Sequence, residues 1–440
     1  MFGWALSAWK QPMDQFIIDG GQPLRGSITP SGNKNGALPL LAACLLTSEP
    51  VVLRNVPAIR DVQVMREIVT QLGAVVEELD AHTWRMHTPR LLQSDLKADL
   101  FRRIRASILV AGPMLARRGD INLPMPGGDV LGRRRVDTHM LALEGLGAHI
   151  DFTDGIFNMQ ADGLRGASLL LDECSVTATE NAVMAATLAS GTTTIRNAAS
   201  EPHVQDLCEF LNLLGARIEN IGSNHLVIHG VEQLGGGDYS IGPDYIEVVS
   251  LIGAAAVTGG EVRIHRAGVR HLDMIRLAFG KLGVHWETDG DDILVGANQT
   301  LAVIPDVGGA IPEIKTNVWP AFPTDVTSIA LTVATQASGT VLFHDWMYSS
   351  RMYFTDKLVS MGAKIILCDP YRCIVQGPNR LQGEQLESPD IRAGMALILA
   401  ALCARGQSVI RNIGQIERGY ENIDEKLRAL GAKIERVSTN

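Results

Sequence analysis

The sequence lacks the usual marks of a membrane, metal-binding or nucleic-acid-binding protein. The longest apolar run near its start, Gly36 to Leu46, has 11 residues and contains Pro39, so it is too short to cross a bilayer. The formal net charge of -9 argues against general binding to a phosphate backbone, which requires a basic surface. The 6 cysteines and 11 histidines show no metal-ligand spacing. We therefore expect no metal, no cofactor, no nucleic acid and no membrane partner.

The first twelve residues also lack a recognisable targeting pattern. They contain Trp4, Trp9 and one basic residue, Lys10, without the basic region and cleavage pattern of a secretion signal. The scattered cysteines do not indicate a disulfide framework. We interpret residues 1–12 as an N-terminal extension without an assigned role, and we expect a reducing, cytoplasmic setting.

What the sequence does contain is a repeat. An amphipathic helix pattern, then Leu-Gly-Ala or a close variant, then a short strand pattern recurs about every 70 residues, which predicts one folding unit copied six times. In the first unit, Asp61 is expected to cap the helix and Gly73 to end it in a left-handed conformation. The glycines that mark the six copies are Gly73, Gly147, Gly215, Gly283, Gly362 and Gly431.

A second type of helix alternates with the first and is apolar on nearly all sides, as in Val248–Val257 and Gly394–Cys403. Such helices are buried, so each βαβαββ-like unit should place this helix inside and its strands outside. The pattern predicts an α/β fold with three units per domain and a ligand site in the cleft between the two domains. The chain should cross between them near Gly235–Gly237. The predicted domains are residues 34–241, and residues 13–33 together with 242–440.

Two segments depart from the repeat. Ser31–Gly36 places Lys34 and Asn35 at the start of a buried helix, where backbone N–H groups favour an anion, although a simple capped loop is the alternative. Pro124–His139 is an insertion with three glycines, Asp129 and three consecutive arginines. It is typical of a lid that closes over a phosphorylated substrate, and a solvated charged loop is the alternative.

These segments belong to a set of motifs through which the chain resembles the UDP-N-acetylglucosamine 1-carboxyvinyltransferases, a family of enolpyruvyl transferases. The resemblance runs from about Met13 to the C-terminus and implies a two-domain inverse α/β barrel. It implies transfer of the enolpyruvyl group of phosphoenolpyruvate to the 3-hydroxyl of UDP-N-acetylglucosamine, the first committed step of peptidoglycan synthesis. The motifs are Ser-Gly-x-Lys-Asn at 31–35, Arg-Ala-Ser at 105–107, Pro-Gly-Gly-x-x-x-Gly at 126–132, Pro-Ala-Phe-Pro-Thr-Asp at 320–325, Asp-x-Arg at 390–392 and Arg-Gly-Tyr at 418–420.

The resemblance also assigns roles to residues. Asp325 would be the base near the sugar hydroxyl, and it could also cap the helix that follows. The phosphate of phosphoenolpyruvate would be held by Lys34, Arg134 and Arg418, with Arg351 and Arg392 completing a basic cleft. Asn35 and Arg105 would contact the nucleotide sugar, and Met347 would contact it through its backbone. Uracil would be enclosed by Arg134, Arg135, Val136, Asp137 and Thr138, and the diphosphate would lie at Ser175 and Val176.

Asp129 stands where most members of the family carry a reactive cysteine. A carboxylate is a poorer nucleophile than a thiolate, so the resemblance implies activity without a stable thioether and insensitivity to the epoxide antibiotic fosfomycin. An unperturbed Asp has a pKa of about 3.9, so Asp129 would need a raised pKa to act as an acid near neutrality.

Alternatives remain at this point. Glu173, Thr177 and Arg135 depart from the residues common in the family, which would suit a paralogue that uses another nucleotide or sugar. A catalytically inactive nucleotide-sugar sensor is a second alternative, against which the retention of Lys34 and Asp325 argues. RNA-end processing is a third, disfavoured by the acidic charge.

Overall fold

The computed structural model describes residues 13–92, 96–127 and 135–439. The helices of the first half are α1 (Lys34–Ala43), α2 (Arg60–Gln71), α3 (Ala98–Phe101), α4 (Ala111–Arg117), α5 (Asp137–Gly145), α6 (Val176–Thr187) and α7 (Pro202–Leu213). Those of the second half are α8 (Tyr245–Thr258), α9 (Asp273–Gly280), α10 (Thr327–Ala334), α11 (Thr355–Ser360), α12 (Ile391–Cys403) and α13 (Ile423–Ala429).

In the described residues the strands form six small sheets, one for each predicted unit. The strands up to Ser240 are β1 (Met13–Asp19), β2 (Arg25–Ile28), β3 (Val51–Arg54), β4 (Val75–Asp80), β5 (Thr83–His87), β6 (Asp120–Pro124), β7 (His149–Thr153), β8 (Ile156–Gln160), β9 (Ser168–Leu170), β10 (Thr192–Arg196), β11 (Arg217–Glu219), β12 (His225–His229) and β13 (Gly237–Ser240). The later strands are β14 (Glu261–Ile264), β15 (Glu287–Asp289), β16 (Asp292–Val295), β17 (Glu313–Lys315), β18 (Gly339–His344), β19 (Lys364–Asp369), β20 (Arg372–Gly377), β21 (Gln385–Glu387), β22 (Gln407–Arg411) and β23 (Lys433–Thr439).

The sheets share one plan. Five have four strands, in the orders β13-β3-β5-β4, β11-β12-β10-β9, β15-β16-β14-β2, β17-β18-β20-β19 and β21-β22-β1-β23, and the sixth has the order β6-β8-β7. In the fourth unit, β14 pairs parallel with β2 and antiparallel with β16, and β15 and β16 form a hairpin, so the sheet is mixed. The repeated α/β architecture predicted from the glycine period is confirmed.

Two separate hydrophobic cores underlie this plan. One runs from Ala37 to Ile241, and the other joins Phe16, Ile18 and Leu24 to residues from Tyr245 to Ile434. The apolar helices α8, α10 and α12 pack against one another inside the second core, while the sheets lie outside. The chain passes between the cores through two adjacent segments, bridged at Gly32 and Pro243. The two cores support the predicted domain bounds, which stay a prediction.

The six marker glycines all have positive φ, from 79° at Gly283 to 111° at Gly73. At Gly73, the N–H of the next residue returns to Val69 O, which satisfies a carbonyl that the end of α2 leaves open. A Cβ is unfavourable in this conformation, so glycine is selected at each repeat. The predicted left-handed helix ends are therefore confirmed.

Two predictions about helix caps are wrong. Asp61 does not cap α2, because that helix begins at Arg60 and Asp61 lies within its first turn. Asp325 does not cap α10, since it lies in a 3₁₀ turn and Val326 precedes the helix without a side-chain cap. In the described residues no helix is long and apolar enough to cross a membrane.

Candidate active site

A buried ion cluster joins the first and second halves of the chain. The Asp61 cluster consists of Lys34, Asp61 and Arg418. Lys34 Nζ lies 2.7 Å from Asp61 Oδ2, and Arg418 Nε donates to Asp61 Oδ1 at 3.1 Å. The exposed fractions of the Lys34, Asp61 and Arg418 side chains are 9%, 6% and 13%. One carboxylate therefore holds together two of the cations that the sequence assigned to a phosphate.

A second buried cluster surrounds the predicted base. The Asp325 cluster consists of Asp325, Arg351 and Arg392. Asp325 Oδ1 accepts from Arg351 at 3.0 Å, and its Oδ2 accepts from Arg392 at 3.4 Å. Arg351 and Arg392 are only 4% and 6% exposed, whereas the Asp325 side chain is 29% exposed. The arrangement keeps a carboxylate accessible while its counter-cations stay in the protein.

Arg351 and Arg392 lie over the rings of Tyr348 and Tyr420, but some of their nitrogens have no hydrogen-bond partner among the described residues. Arg351 Nε and Nη1 and Arg392 Nη1 are buried without a hydrogen bond to any residue that the structure describes. An unpaired buried donor is costly, especially on a charged group, so such donors are usually completed by a ligand or by water. They point to an anion as the missing partner.

The two clusters are close enough to influence each other. Burial lowers the pKa of Lys34, Asp61 counteracts this, and the positive charges of Arg392 and Arg418 lower the pKa further. Burial also opposes the charge on Arg392, but Asp325 and other neighbours raise its pKa above the ordinary value for arginine. Four cations thus lie near the two cluster carboxylates, and the charges of Asp244, Asp345 and Asp390 also act on Arg392 and Arg351.

The predicted nucleotide residues form a separate group. Arg105 donates to the Arg135 carbonyl at 2.7 Å, and Arg135 pairs with Asp137 at 3.0 Å. Thr138 donates to Asp172 at 2.7 Å. Arg135, Val136 and Asp137 line a cavity of about 660 Å³. The structure therefore brings together the predicted uracil segment and Arg105.

Ser175 and Val176 lie beside this group, at the N-terminus of α6, where Ser175 is the N-cap. A hydrogen-bond chain fixes this helix to α5. Gly112 N–H donates to Asn181 Oδ1, so the Asn181 amide nitrogen faces His139 Nδ1 at 2.9 Å. His139 Nε2–H then donates to Thr177 at 3.0 Å. Burial, together with the charge of Arg105, lowers the pKa of His139 to about 3, so the ring is neutral.

Four predicted residues remain, which the structure does not place in the ion clusters or in the group around Arg135. Asp129 and Arg134 lie outside the described residues. Asn35 is the second residue of α1, and its backbone N–H bonds to Asn33, the N-cap. The backbone N–H of Met347 donates to the buried Asp345 at 3.1 Å.

Sequence reasoning missed three groups near the clusters. Asp61 was interpreted as a cap, and its ionic partners lie far away in the sequence. Glu201 and His203 begin α7, where burial raises the pKa of Glu201 to about 7 and lowers that of His203 to about 4. Both have a buried atom without a described hydrogen-bond partner, Glu201 Oε2 and His203 Nδ1. The sequence offered no signal beyond their place at the start of an amphipathic helix.

Six small sheets around two helix-filled cores, with a cation-rich cleft, define the enolpyruvyl transferase class. The chain belongs to the EPSP synthase family (3-phosphoshikimate 1-carboxyvinyltransferase), whose model matches residues 18–427. The predicted fold and the prediction of a transferase are confirmed. Among the residues that the structure describes, no group of three or more His, Cys, Asp or Glu side chains could hold a metal ion.

The similarity is strong to individual members of the family. The chain is 56% identical over 423 residues to a UDP-N-acetylglucosamine 1-carboxyvinyltransferase of Bradyrhizobium diazoefficiens, which covers 96% of this chain and 98% of that protein. The corresponding protein of Treponema denticola is 52% identical, covering 96% and 99%. The enolpyruvyl transferase NikO of Streptomyces tendae superimposes with a TM-score of 0.86 at 25% identity, covering 98% of this chain and all of that one.

Proposed function

We propose that this protein transfers the enolpyruvyl group of phosphoenolpyruvate to the 3-hydroxyl of UDP-N-acetylglucosamine and releases phosphate. The observation that carries the proposal is the pair of buried ion clusters, in one of which Arg351 and Arg392 keep guanidinium donors without a hydrogen bond to any described residue. The names of relatives at 56% and 52% identity support the choice of acceptor. The product would enter peptidoglycan synthesis.

Phosphoenolpyruvate presents a phosphate and a carboxylate, and the clusters supply cations for both. Lys34 and Arg418 would bind the phosphate of phosphoenolpyruvate. Arg392 would also bind this substrate, through its Nη1, which has no hydrogen-bond partner among the described residues. Arginine suits this task because its planar group donates at two points and stays charged. Since these donors are held in place before substrate arrives, little reorganisation is needed as charge moves during the reaction.

Asp325 would remove the proton of the acceptor hydroxyl. Its two oxygens accept from Arg351 and Arg392, which favours the ionised form that a base requires. The hydroxyl oxygen would then attack the central carbon of phosphoenolpyruvate while an acid delivers a proton to its methylene carbon. In the second step the methyl carbon loses a proton and the C–O bond to phosphate breaks, which restores the double bond.

The acid in this scheme would be Asp129, by its position in the family motif. The nucleotide would lie along the Arg105 and 135–138 group, with its diphosphate toward Ser175 and Val176 and a further contact from Asn35 and the Met347 backbone. Thr177 has a structural explanation that needs no change of substrate, since its hydroxyl accepts from His139.

The test is phosphate release from phosphoenolpyruvate with a panel of uridine nucleotide sugars as acceptors. We expect release with UDP-N-acetylglucosamine and enolpyruvyl attached at its 3-oxygen, detected by mass spectrometry. Release only with a different acceptor would favour a paralogue, and no release with any acceptor would favour a sensor. Asp325→Asn, which keeps the shape of the side chain, should abolish release while the variant still binds the nucleotide sugar.

A further inference from the structure

A cavity of about 790 Å³ opens between the two halves on one side of the Asp61 cluster. Its walls come from α2 and the segment after α3 in the first half, and from residues around α11 and before α13 in the second. None of the residues proposed to hold the nucleotide lines it. The cavity is therefore distinct from the one beside Arg135, Val136 and Asp137.

The lining of this cavity is basic, although the whole chain carries a net charge of -9. The carboxylates that line it are Asp61, Asp356 and Asp390, and the cations are Arg60, Arg102, Arg103, Lys357 and Arg418. The lining thus has an excess of positive charge, which concentrates anions in a cleft with protein walls.

Most of these cations are only weakly engaged by the protein. Arg60 and Arg102 are exposed and form no ion pair with any residue in the described ranges. Arg103 lies 3.8 Å from Glu67, and both side chains are more than half exposed. Loose exposed pairs of this kind contribute little to stability. These charges are therefore available to a mobile anion.

The inner end of the cavity reaches the proposed reaction site. Asp61 and Arg418 line the cavity, and the same Asp61 carboxylate binds Lys34 at 2.7 Å. An anion in the cavity would be adjacent to the cations that are proposed to bind phosphate. Ser350 also lines the cavity, and its Oγ is buried without a partner among the residues described.

We propose that this cavity is the entry chamber for phosphoenolpyruvate, in which Arg60, Arg102, Arg103 and Lys357 attract the phosphate-bearing substrate and pass it to Arg418 and Lys34. The inference rests on the proposed function and adds the route and the residues that set the encounter rate. The nucleotide sugar enters elsewhere, beside Arg135.

The test measures kcat/KM for phosphoenolpyruvate as a function of salt concentration in Arg102→Gln/Arg103→Gln. We expect about a 3- to 10-fold loss of kcat/KM at low ionic strength, a smaller loss at high ionic strength and an unchanged kcat, because two charges are removed and salt screens long-range attraction. The matched control is Arg54→Gln/Arg85→Gln, which removes two exposed charges that do not line the cavity. Arg102→Lys/Arg103→Lys should restore the normal value.

Three results would overturn the inference. They are an equal loss in both glutamine variants, an unchanged salt dependence, or a loss confined to kcat/KM for the nucleotide sugar. An absence of phosphate release in the unmodified protein would instead contradict the proposed function, so the two failures are distinguishable.

Discussion

Replacement of Asp61 by Asn tests whether the Asp61 cluster is built to receive an anion. The carboxylate is 6% exposed and contacts Lys34 at 2.7 Å and Arg418 at 3.1 Å. Asn keeps the size of the side chain but removes its charge, which leaves two cations buried without compensation. Removing one member of a buried ion pair typically costs about 3–5 kcal/mol.

We expect Asp61→Asn to lower the free energy of unfolding by about 3 kcal/mol, at the lower end of that range because Lys34 can lose its proton. Burial and the neighbouring arginines already lower the pKa of Lys34, and the loss of Asp61 removes an opposing influence. Neutralisation of Lys34 would limit the penalty, and it would also reduce the affinity for phosphate at alkaline pH.

The assay is urea unfolding in chloride and in inorganic phosphate at matched ionic strength. Phosphate should restore part of the lost stability in Asp61→Asn because it replaces the missing negative charge between Lys34 and Arg418. Asp238→Asn is the control, since Asp238 pairs with Arg54 at 2.6 Å but its side chain is 49% exposed. That exposed pair should be worth under about 1 kcal/mol. Equal losses in the two variants, or no difference between chloride and phosphate, would refute the reasoning.

Further predictions concern Glu201, Arg392 and Asp129. Burial raises the pKa of Glu201 from 4.5 to about 7, so the native carboxyl keeps a proton that the unfolded chain loses, and the free energy of unfolding should fall as pH rises from 4.5 to 7. In urea unfolding, Glu201→Gln should therefore gain about 2–3 kcal/mol relative to the unmodified protein between pH 4.5 and pH 8. Parallel pH profiles of the two proteins would contradict this. Arg392→Lys should lower kcat/KM for phosphoenolpyruvate by about 100-fold in steady-state assays, because lysine lacks the planar donor pair, while KM for the nucleotide sugar should change little. Asp129→Asn should lose most turnover in the phosphate-release assay. The unmodified enzyme should resist fosfomycin, and rapid stoichiometric inactivation by that compound would show that the predicted lid does carry a reactive nucleophile.

The architecture could be predicted from the sequence because it depends on local rules applied six times. Each marker glycine ends a helix in a conformation with positive φ, and its neighbours show helical or strand periodicity. The helix starts were less predictable. Asp61 looked like a cap, but α2 begins one residue earlier and the side chain turns toward Lys34 and Arg418.

Most of the predicted members of the two clusters stood in motifs, and Arg351 is the exception. Lys34, Asp325, Arg392 and Arg418 stood in motifs, and the structure places all four in the two clusters. Glu201 and His203 stood in no motif, and their shifted pKa values arise from burial against elements distant in the sequence. Contacts of that kind, such as Ser200 Oγ donating to the Trp319 carbonyl at 3.3 Å, depend on the packing of the two halves and have no local pattern.

The distribution of charge links substrate binding to the packing of the two halves. Lys34 comes from the first half, whereas Arg351, Arg392 and Arg418 come from the second, so bringing the halves together concentrates four cations. Asp61 and Asp325 pair with these cations directly, and Asp244, Asp345 and Asp390 also act on the arginines. Burial is the main cause of the lowered pKa of Lys34, and the charges of Arg392 and Arg418 lower it further. An anion with both a phosphate and a carboxylate would contact cations from both halves. Its binding would therefore stabilise the arrangement in which those cations converge.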